Sequence, residues 1–500
     1  MTEPEAVADQ AAPVPIEKRS SFASDVLILV GGTAFAQALS VLVAPILTRL
    51  YAPDAFGSAA VFASITTIIV VVACLRYELA IMLPARDEDA ANLLAASLCA
   101  ALLIAGLSGV LVLVAGEPIV RILNAPGLAP YLGLVPLSVL ASGAFLALNY
   151  WNLRTRHFGR LSIAGAGGSV VTRGGELCMG ALGHGEAGGL LGARVLGSAV
   201  VAVALGGLTW RDDHGLFLGN VRLRRVSHSF RRYLKFPLVG AWGALMNSVA
   251  WQLPTMVLSV FFSQTVVGYY ALANRIIQLP MALIGGAVAQ VFFQRASEAH
   301  GKEDGLATTV EMVLQMLVAV ALFPALSLAI AGPEIFGAAF GQTWSEAGTY
   351  AQILSVWLFF WFLFSPLSTV FAILERQELG LIAHGAIFFA HLIPVAVGGI
   401  LGNIYIALAL FAGSGALVYG GLALWSSMLG GLPLQRCLLV LLREGVYGLP
   451  FAVALVIVKA WFKGSVGVVL VANVVAMMAY YLLVLGRHPA LGRILRLRKR

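Results

Sequence analysis

The segment PILTRLYAPDAFGSAAVFA (residues 45–63) holds the end of one apolar helix, a short aromatic turn, a glycine and the start of a second apolar helix. The same order recurs in MVLSVFFSQTVVGYYALA (residues 256–273), where Gly268 aligns with Gly57. Two further pairs are AGEPIVRIL (115–123) with AGPEIFGAAF (331–340), and NLRTRHFG (152–159) with AILERQELG (372–380). Because all three pairs are separated by roughly 211–221 residues, the sequence predicts an internal duplication of the kind found in transporters.

The composition around these segments is that of a membrane protein. The chain has 500 residues, of which 60% are hydrophobic and only 11% are charged. A soluble protein carries about 25% charged residues. Apolar windows of about twenty residues, each long enough to cross the bilayer as a helix, recur from end to end. The sequence therefore predicts an all-α polytopic membrane protein.

The apolar windows predict fourteen transmembrane spans. They lie near residues 26–48, 58–80, 91–115, 129–149, 161–182, 187–210, 233–262, 266–292, 306–331, 346–374, 380–401, 404–427, 437–458 and 464–485. The duplication separates matching segments by six spans, which predicts two pseudo-repeated six-helix lobes around a central cavity, followed by two C-terminal helices. The predicted parts are a disordered cytoplasmic tail (1–25), an N-lobe (26–232, ending in a basic loop), a C-lobe (233–436), two final spans (437–485) and a basic tail (486–500).

Basic residues are distributed unequally between the two sides of the membrane. With the N-terminus in the cytoplasm, 24 of the 32 Lys and Arg residues lie on the cytoplasmic side. This bias is the positive-inside rule, and it predicts that both termini are cytoplasmic. The net charge of +8 is then explained by topology and not by nucleic-acid binding. Anionic membrane lipids are its expected partner.

Motifs for catalysis or cofactor binding do not occur in a suitable setting. The chain lacks a GxxxxGK[ST] phosphate loop, and its four cysteines form no CxxC or metal-ligand spacing. No GxSxG or HExxH motif is present either. His384 and His391, one heptad apart in the eleventh span, suit either a proton relay or hydrogen bonds across helices. We therefore expect no catalytic residue, metal site or cofactor, and an energy source other than ATP hydrolysis by this chain.

Polar residues at helical spacing mark the candidate walls of the cavity, because a helix surrounded by lipid has no use for them. Packing between helices is the alternative for isolated Ser, Thr and Gly residues. The stripes comprise Thr33, Gln37 and Ser40 in the first span; Ser162, Gly165, Ser169, Thr172, Arg173, Glu176 and Gly180 in the fifth; Asn247, Trp251, Gln252 and Pro254 in the seventh; and Asn274, Arg275 and Gln278 in the eighth.

Three arginines lie inside predicted spans at similar depth. At ~1.5 Å per residue, Arg173 lies roughly 14 Å from the outer end of its span, Arg194 about 10 Å and Arg275 about 14 Å. An arginine at the bilayer centre costs ~2.5–3.5 kcal/mol unless it faces water or a partner. A cationic cavity for an anionic ligand explains all three, whereas a structural Arg173–Glu176 pair is the alternative. Glu176 is also the candidate for ion coupling. The predicted cavity residues are Arg173, Arg194, Arg275, Glu176, Asn247, Gln252, Asn274, Gln278 and Gln37.

An ordered set of segments resembles the polysaccharide (Wzx-type) flippases of the multidrug/oligosaccharidyl-lipid/polysaccharide exporter superfamily. The segments are LTRLYAPDAFG (47–57), LRYELAIMLPARDEDAANL (75–93), the long run at 248–298 and FGQTWSEAGTYAQILSVWLFFWFLFSPLSTVFAILERQ (340–377). The resemblance implies two lobes that open alternately to each side of the bacterial inner membrane. It also implies transport of undecaprenyl-pyrophosphate-linked oligosaccharide from the cytoplasmic to the outer leaflet for O-antigen, capsule or exopolysaccharide synthesis, and a cationic cavity.

The sequence is also compatible with other functions. Within the superfamily, a drug/cation antiporter favours an acidic cavity, and a flippase for lipid-linked peptidoglycan precursors shares a cationic one. From a different class, a membrane polysaccharide polymerase or ligase needs a large external loop, whereas the outward loops here hardly exceed a dozen residues. Polysaccharide polymerase and chain-length regulator proteins are further expected partners.

Overall fold

The computed structural model describes residues 22–281, 285–299, 305–462 and 464–487. Every regular element within these ranges is a helix, which confirms the all-α fold class. The predicted cytoplasmic tails, up to residue 21 and from residue 488, lie outside the described residues.

The N-terminal half contains eight α-helices in the described part of the chain. They are Phe22–Leu50 (α1), Pro53–Val70 (α2), Tyr77–Ala80 (α3), Asp87–Ile122 (α4), Leu134–Arg154 (α5), Phe158–Ala181 (α6), Ala187–Asn220 (α7) and Leu223–Arg232 (α8). The remaining helices are Ala241–Phe261 (α9), Gln264–Pro280 (α10), Gly286–Ala299 (α11), Gly305–Phe340 (α12), Ser345–Leu367 (α13), Val370–Ile373 (α14), Gln377–Ile400 (α15), Ile404–Leu429 (α16), Leu434–Trp461 (α17) and Val466–Arg487 (α18).

Helices occupy all fourteen predicted spans. Within the described residues, twelve helices are long and apolar enough to cross a membrane by length and composition alone. The other two predicted spans are α6 and the interrupted pair α10 and α11. α6 carries Arg173 and Glu176, and α10 carries Arg275. These charges make the two segments less apolar.

Left-handed residues at equivalent helix ends support the internal duplication. α4 ends before Asn124 (φ 45°) and α12 ends before Gly341 (φ 103°). The turns before α6 and α15 contain Arg156 (φ 57°) and Glu375 (φ 58°). The same relation holds for Gly183 (φ 86°) after α6 and Gly402 (φ 67°) after α15. Each pair is separated by roughly the repeat length, so the two halves share turn geometry as well as sequence pattern.

The helices form two bundles that meet along α2 and α10. Helices α1 to α7 pack mainly on one another, as do α9 to α16, whereas α17 and α18 pack on α12. At the crossing, a β-carbon on Gly57 would collide with the carbonyl oxygen of Gln264, and one on Gly268 would collide with that of Pro53. The two glycines that the sequence aligns across the repeat therefore permit the close approach of one lobe to the other.

Side chains from neighbouring helices satisfy four backbone carbonyls that prolines leave free. A proline has no N–H to bond the carbonyl four residues earlier, and inside a bilayer that carbonyl needs another donor. The donors are His391 to Ala250 (before Pro254, 3.3 Å), Tyr481 to Val320 (before Pro324, 2.9 Å) and Ser414 to Ala390 (before Pro394, 2.9 Å). In the fourth case, Gln352 donates to Ala329 at 2.6 Å, before Pro333 and where non-helical backbone at Ala331 also interrupts α12. The proline positions thus fix contacts between helices of the C-lobe and the final two spans.

The segment predicted as a long basic loop is helical instead. α7 continues ten residues beyond the predicted span end, to Asn220, and a separate helix, α8, follows it. Asp212 pairs with Arg160, and Asp213 accepts a hydrogen bond from the indole N–H of Trp151 at 2.8 Å. Because these contacts hold the polar end of α7 against α5 and α6, the helix does not end where the apolar window ends.

Candidate functional site

α6 brings its polar residues close to α1 and α7 through small side chains. A β-carbon on Gly197 of α7 would collide with the hydroxyl of Thr172, and one on Gly180 would lie 2.9 Å from the side chain of Leu50. Ser162 packs in the same way against Gly32 of α1. The polar stripe of α6 is therefore divided: its ends pack on α1, while its middle borders a slot between α5, α6 and α7.

Arg173 and Glu176 form an ion pair on successive turns of α6. One guanidinium nitrogen of Arg173 lies 2.5 Å from a carboxylate oxygen of Glu176. The side chains are 15% and 2% exposed, so most of the pair is shielded. The hydroxyl of Tyr51 donates a hydrogen bond of 2.7 Å to the backbone carbonyl of Glu176, which fixes this turn of α6 against the end of α1.

Ser40 of α1 links this pair to the other lobe. The Nε of Arg173 donates to the Ser40 hydroxyl oxygen at 3.2 Å. A guanidinium nitrogen of Arg275, from α10, donates to the Ser40 backbone carbonyl, also at 3.2 Å. Two arginines from different lobes therefore share one neutral residue as their acceptor.

Arg194 completes a cationic cluster. Its side chain and that of Arg173 line the slot, which has a volume of about 310 Å³. Arg275 lies within electrostatic range of Arg173, Arg194 and Glu176. Three guanidinium groups and one carboxylate leave the cluster with a net charge of +2. Such a charge in the interior of a membrane protein favours an anionic ligand.

The other predicted cavity residues make local contacts. Gln252 accepts a hydrogen bond from Ser64 of α2 at 3.1 Å, so it joins the lobes along α9. Gln278 donates to Asn274 on the same helix at 3.0 Å. Asn247 is exposed and Gln37 is half-buried. The structure thus brings together Arg173, Glu176, Arg194 and Arg275, and it places Asn247 and Gln252 on α9, beside the contact with α2.

His391 contacts two neighbouring helices of the C-lobe, α9 and α16. Its Nδ1 lies 3.3 Å from the Ala250 carbonyl, which lacks another donor because of Pro254, and its Nε2 lies 3.4 Å from the Tyr419 hydroxyl. This geometry assigns the proton to Nδ1. His384 is exposed and contacts the Gly380 carbonyl of its own helix at 2.6 Å. Their different surroundings favour the structural interpretation over a relay between them.

Sequence patterns did not indicate several hydroxyl groups, of which Ser40 contacts the cationic cluster and two others line the slot. Ser40 was part of the first-span stripe but was not singled out as a ligand of arginine. Hydroxyl groups of Ser142 and Ser198 also line the slot. Their signal was weak because a lone serine in an apolar helix more often packs against another helix. Within the described ranges, no group of three or more His, Cys, Asp or Glu side chains is arranged to hold a metal ion.

The comparison with protein families identifies the chain. The model of a family described as "Polysaccharide biosynthesis protein" matches residues 46–349, more than half of the sequence. The chain belongs to this polysaccharide biosynthesis family. The match confirms the family resemblance that the sequence segments indicate. A comparison with curated proteins found no match.

Solved transporter structures share the fold of this family member. "Lipid II flippase MurJ, inward closed conformation" aligns with a TM-score of 0.75 at 12% identity, covering 93% of this chain and 99% of that chain. An inward-facing multidrug resistance MATE family transporter of the MOP superfamily aligns with a TM-score of 0.62 at 18% identity, covering 81% and 98%. At these identities the likeness shows the fold alone: a multi-pass, all-helical membrane fold shared with these structures.

The lobes of the family member meet at the end of the bundle predicted to face outward. We call this contact the outer seal, formed by Gly57 with Gly268, Thr48 with Trp344, and Asn124 with Gln264. The indole N–H of Trp344 donates to the Thr48 carbonyl at 2.8 Å, and the amide of Gln264 donates to the Asn124 carbonyl at 2.9 Å. An outward-facing MATE transporter aligns less well, with a TM-score of 0.50 at 17% identity, covering 85% of this chain and 95% of that one. The contacts of the outer seal join the two lobes at the end of the bundle that is predicted to face outward.

Proposed function

We propose that this protein moves undecaprenyl-pyrophosphate-linked oligosaccharide units from the cytoplasmic to the outer leaflet of the bacterial inner membrane, for O-antigen, capsule or exopolysaccharide synthesis. The observation that carries the proposal is the cationic cluster of Arg173, Arg194 and Arg275 with Glu176. A pyrophosphate diester carries one negative charge on each phosphate. Its charge therefore balances the net charge of +2 on the cluster.

The chemistry of the substrate explains why such a cluster is needed. Pyrophosphate and sugars cannot cross hydrocarbon, whereas a polyprenyl tail can remain in lipid. Arginine suits the phosphate group because its planar guanidinium forms two parallel, charge-assisted hydrogen bonds. The slot beside Arg173 and Arg194 adds hydroxyl groups from Ser169, Thr172 and Ser198, which are suited to the oxygens of phosphate or sugar.

Alternating access supplies the movement. In the state described here, the outer seal holds the lobes together, so loading takes place from the cytoplasmic side. Release to the outer leaflet then requires α2 to separate from α10 at Gly57 and Gly268. Glu176 is the proposed group for ion coupling, because it is the acidic residue of the cluster and its carboxylate is held by Arg173.

Two alternative functions differ from the proposed one in the charge or the head group of the substrate. The excess of arginine over carboxylate disfavours an organic cation as the substrate. A lipid-linked peptidoglycan precursor carries a similar anionic linkage, and the structural likeness to a lipid II flippase makes this the second candidate. The family match to polysaccharide biosynthesis favours the oligosaccharide.

A substrate comparison in one preparation tests the proposal. Purified protein in liposomes should move a lipid-linked oligosaccharide far faster than protein-free liposomes do. The same preparation is given a lipid-linked peptidoglycan precursor and an organic cation under an ion gradient. Equal or faster movement of the precursor would assign the protein to peptidoglycan synthesis, and uptake of the cation alone would refute a flippase.

Anionic lipids of the cytoplasmic leaflet are a proposed partner of α8. Exposed basic residues on and next to this helix are Arg222, Arg224, Arg225, Arg231 and Arg232. Val226 is buried, while Leu234, Leu238 and Trp242 are exposed just beyond the helix. Exposed apolar residues beside a basic helix place its charges at the level of the lipid headgroups. A polysaccharide polymerase and a chain-length regulator are further proposed partners, since they act on the translocated units.

A further inference from the structure

Ser40 is the acceptor shared by the two arginines that the proposed substrate would bind. Its hydroxyl oxygen accepts a hydrogen bond from the Nε of Arg173, and its backbone carbonyl accepts one from a guanidinium nitrogen of Arg275. Arg173 belongs to the same lobe as Ser40, whereas Arg275 comes from the opposite lobe. The bond from Arg275 therefore crosses the interface between the lobes.

The acceptors on Ser40 are neutral, and an anion competes with them effectively. A hydrogen bond from guanidinium to phosphate is shorter and roughly twice as strong as one between neutral groups, because both partners are charged. The carboxylate of Glu176 is paired with Arg173. Within the described residues, no ion pair joins Arg275 to a carboxylate, so its bond to the Ser40 carbonyl is the one that an anion most readily replaces.

The position of this bond connects ligand binding to lobe separation. Ser40 lies ten residues before the outer end of α1, which is about 15 Å along the helix. Arg275 lies eleven residues from the start of α10, about 16 Å along it. The outer seal lies above both residues, at the ends of these helices. The Arg275–Ser40 bond is thus an inter-lobe contact below the outer seal, close to the cationic cluster.

We propose that Ser40 accepts hydrogen bonds from Arg173 and Arg275 when the transporter is empty, and that an anionic head group breaks both bonds by binding these arginines itself. We call the Arg275–Ser40 bond, which joins the two lobes, the inter-lobe latch. The inference rests on the proposed function, since it needs an anionic ligand at the cluster. Ser40 is accordingly a positioning residue that acts through the two arginines. The latch favours the closed outer end when the site is empty and releases it when the site is filled.

Distance measurements between the lobes test the latch. Spin labels are placed at Glu117→Cys and Leu401→Cys, two exposed positions at the outer ends of α4 and α15, after exposed Cys99 and Cys178 are changed to Ala. Inorganic pyrophosphate is the probe, and its binding is measured separately by calorimetry. In the otherwise unchanged protein, pyrophosphate should increase the population with a long inter-label distance.

Two arginine variants separate the latch from simple loss of binding. Arg275→Ala should raise the long-distance population without ligand by roughly tenfold, as expected for the loss of a hydrogen bond to a charged group. Arg194→Ala is the matched control, because it removes one charge from the cluster, and among the described residues no hydrogen bond joins Arg194 to the other lobe. It should lose the response to pyrophosphate without opening the empty protein.

Ser40→Ala gives a readout that a purely structural serine would not give. Arg173 then loses a competing acceptor, so pyrophosphate should bind about two- to tenfold more tightly. Ser108→Ala is its control, because Ser108 lies on α4, outside the slot, and donates to the Ala105 carbonyl of its own helix. We expect no change in affinity for this control.

The outcomes distinguish the latch from the proposed function. An unchanged ligand-free distance distribution in Arg275→Ala would overturn the latch. Binding of pyrophosphate to the unmodified protein without any change in distance would also overturn it, while the anion site would stand. If the unmodified protein does not bind pyrophosphate, the cluster is not an anion site. That result would refute both the proposed function and the latch.

Discussion

Replacement of Arg173 by alanine separates a binding arginine from a purely structural one. In the native protein, the Glu176 carboxylate is 2% exposed and lies 2.5 Å from the Arg173 guanidinium. Arg173→Ala leaves that carboxylate buried without its ion-pair partner. Removing one member of a buried pair costs about 3–5 kcal/mol, because the remaining charge loses its compensation. We therefore expect a lower midpoint of thermal denaturation in detergent for Arg173→Ala.

The double variant Arg173→Ala, Glu176→Ala gives the opposite result for stability. It removes both charges, so no unpaired carboxylate remains, and the denaturation midpoint should return most of the way to that of the native protein. Export should nevertheless be abolished in the double variant, as in Arg173→Ala, because the cluster keeps only Arg194 and Arg275. Surface polysaccharide is measured in cells that lack their own flippase, with membrane insertion checked by immunoblot.

Two results would refute this reasoning. Native stability of Arg173→Ala would show that Glu176 does not depend on Arg173. Export by the double variant at the native rate would show that the pair is structural and does not bind substrate. Arg173→Lys is the conservative control, and it should retain part of the export because it keeps the charge but loses the paired geometry.

Three further changes probe the seal, the proline contacts and the basic helix. Gly268→Val should prevent closure of the outer seal and abolish export, whereas Gly243→Val, where a β-carbon meets open space, should export normally. Tyr481→Phe should lower stability by about 1–3 kcal/mol in detergent, because it leaves the Val320 carbonyl without a donor. Adding Pro324→Ala should restore stability by supplying an N–H to that carbonyl, and no restoration would contradict the proline argument. Nanodiscs containing phosphatidylglycerol should protect α8 from hydrogen exchange more than purely zwitterionic nanodiscs do, and changing the four arginines within α8 to Gln should abolish this difference. Equal protection of the native helix in both kinds of nanodisc would contradict headgroup binding.

Periodicity and apolar length were sufficient to predict the fold because they act along a single helix. The repeat aligned Gly57 with Gly268, and the structure places these two residues at the α2–α10 crossing. Depth in the membrane follows from the fixed rise per residue. The sequence therefore indicated that Arg173, Arg194 and Arg275 lie at similar levels before any packing was known.

Features that depend on contacts between helices were not predictable in this way. The role of Ser40 arises from two arginines on different helices, and nothing local distinguishes it from a packing serine. Hydropathy predicts a loop over the helical end of α7 and the whole of α8, because hydropathy averages do not reveal an amphipathic charged helix. Gln252 contacts Ser64 of α2 and Asn247 is exposed, since the rotation of α9 is set by its neighbours.

The most direct test of the central claim is an electron cryo-microscopy structure of the protein with its lipid-linked oligosaccharide bound. The account predicts that the pyrophosphate lies within hydrogen-bond distance of Arg173 and Arg275, with Arg194 beside it and both bonds to Ser40 broken. A head group bound elsewhere in the protein, with both arginines still on Ser40, would contradict the account.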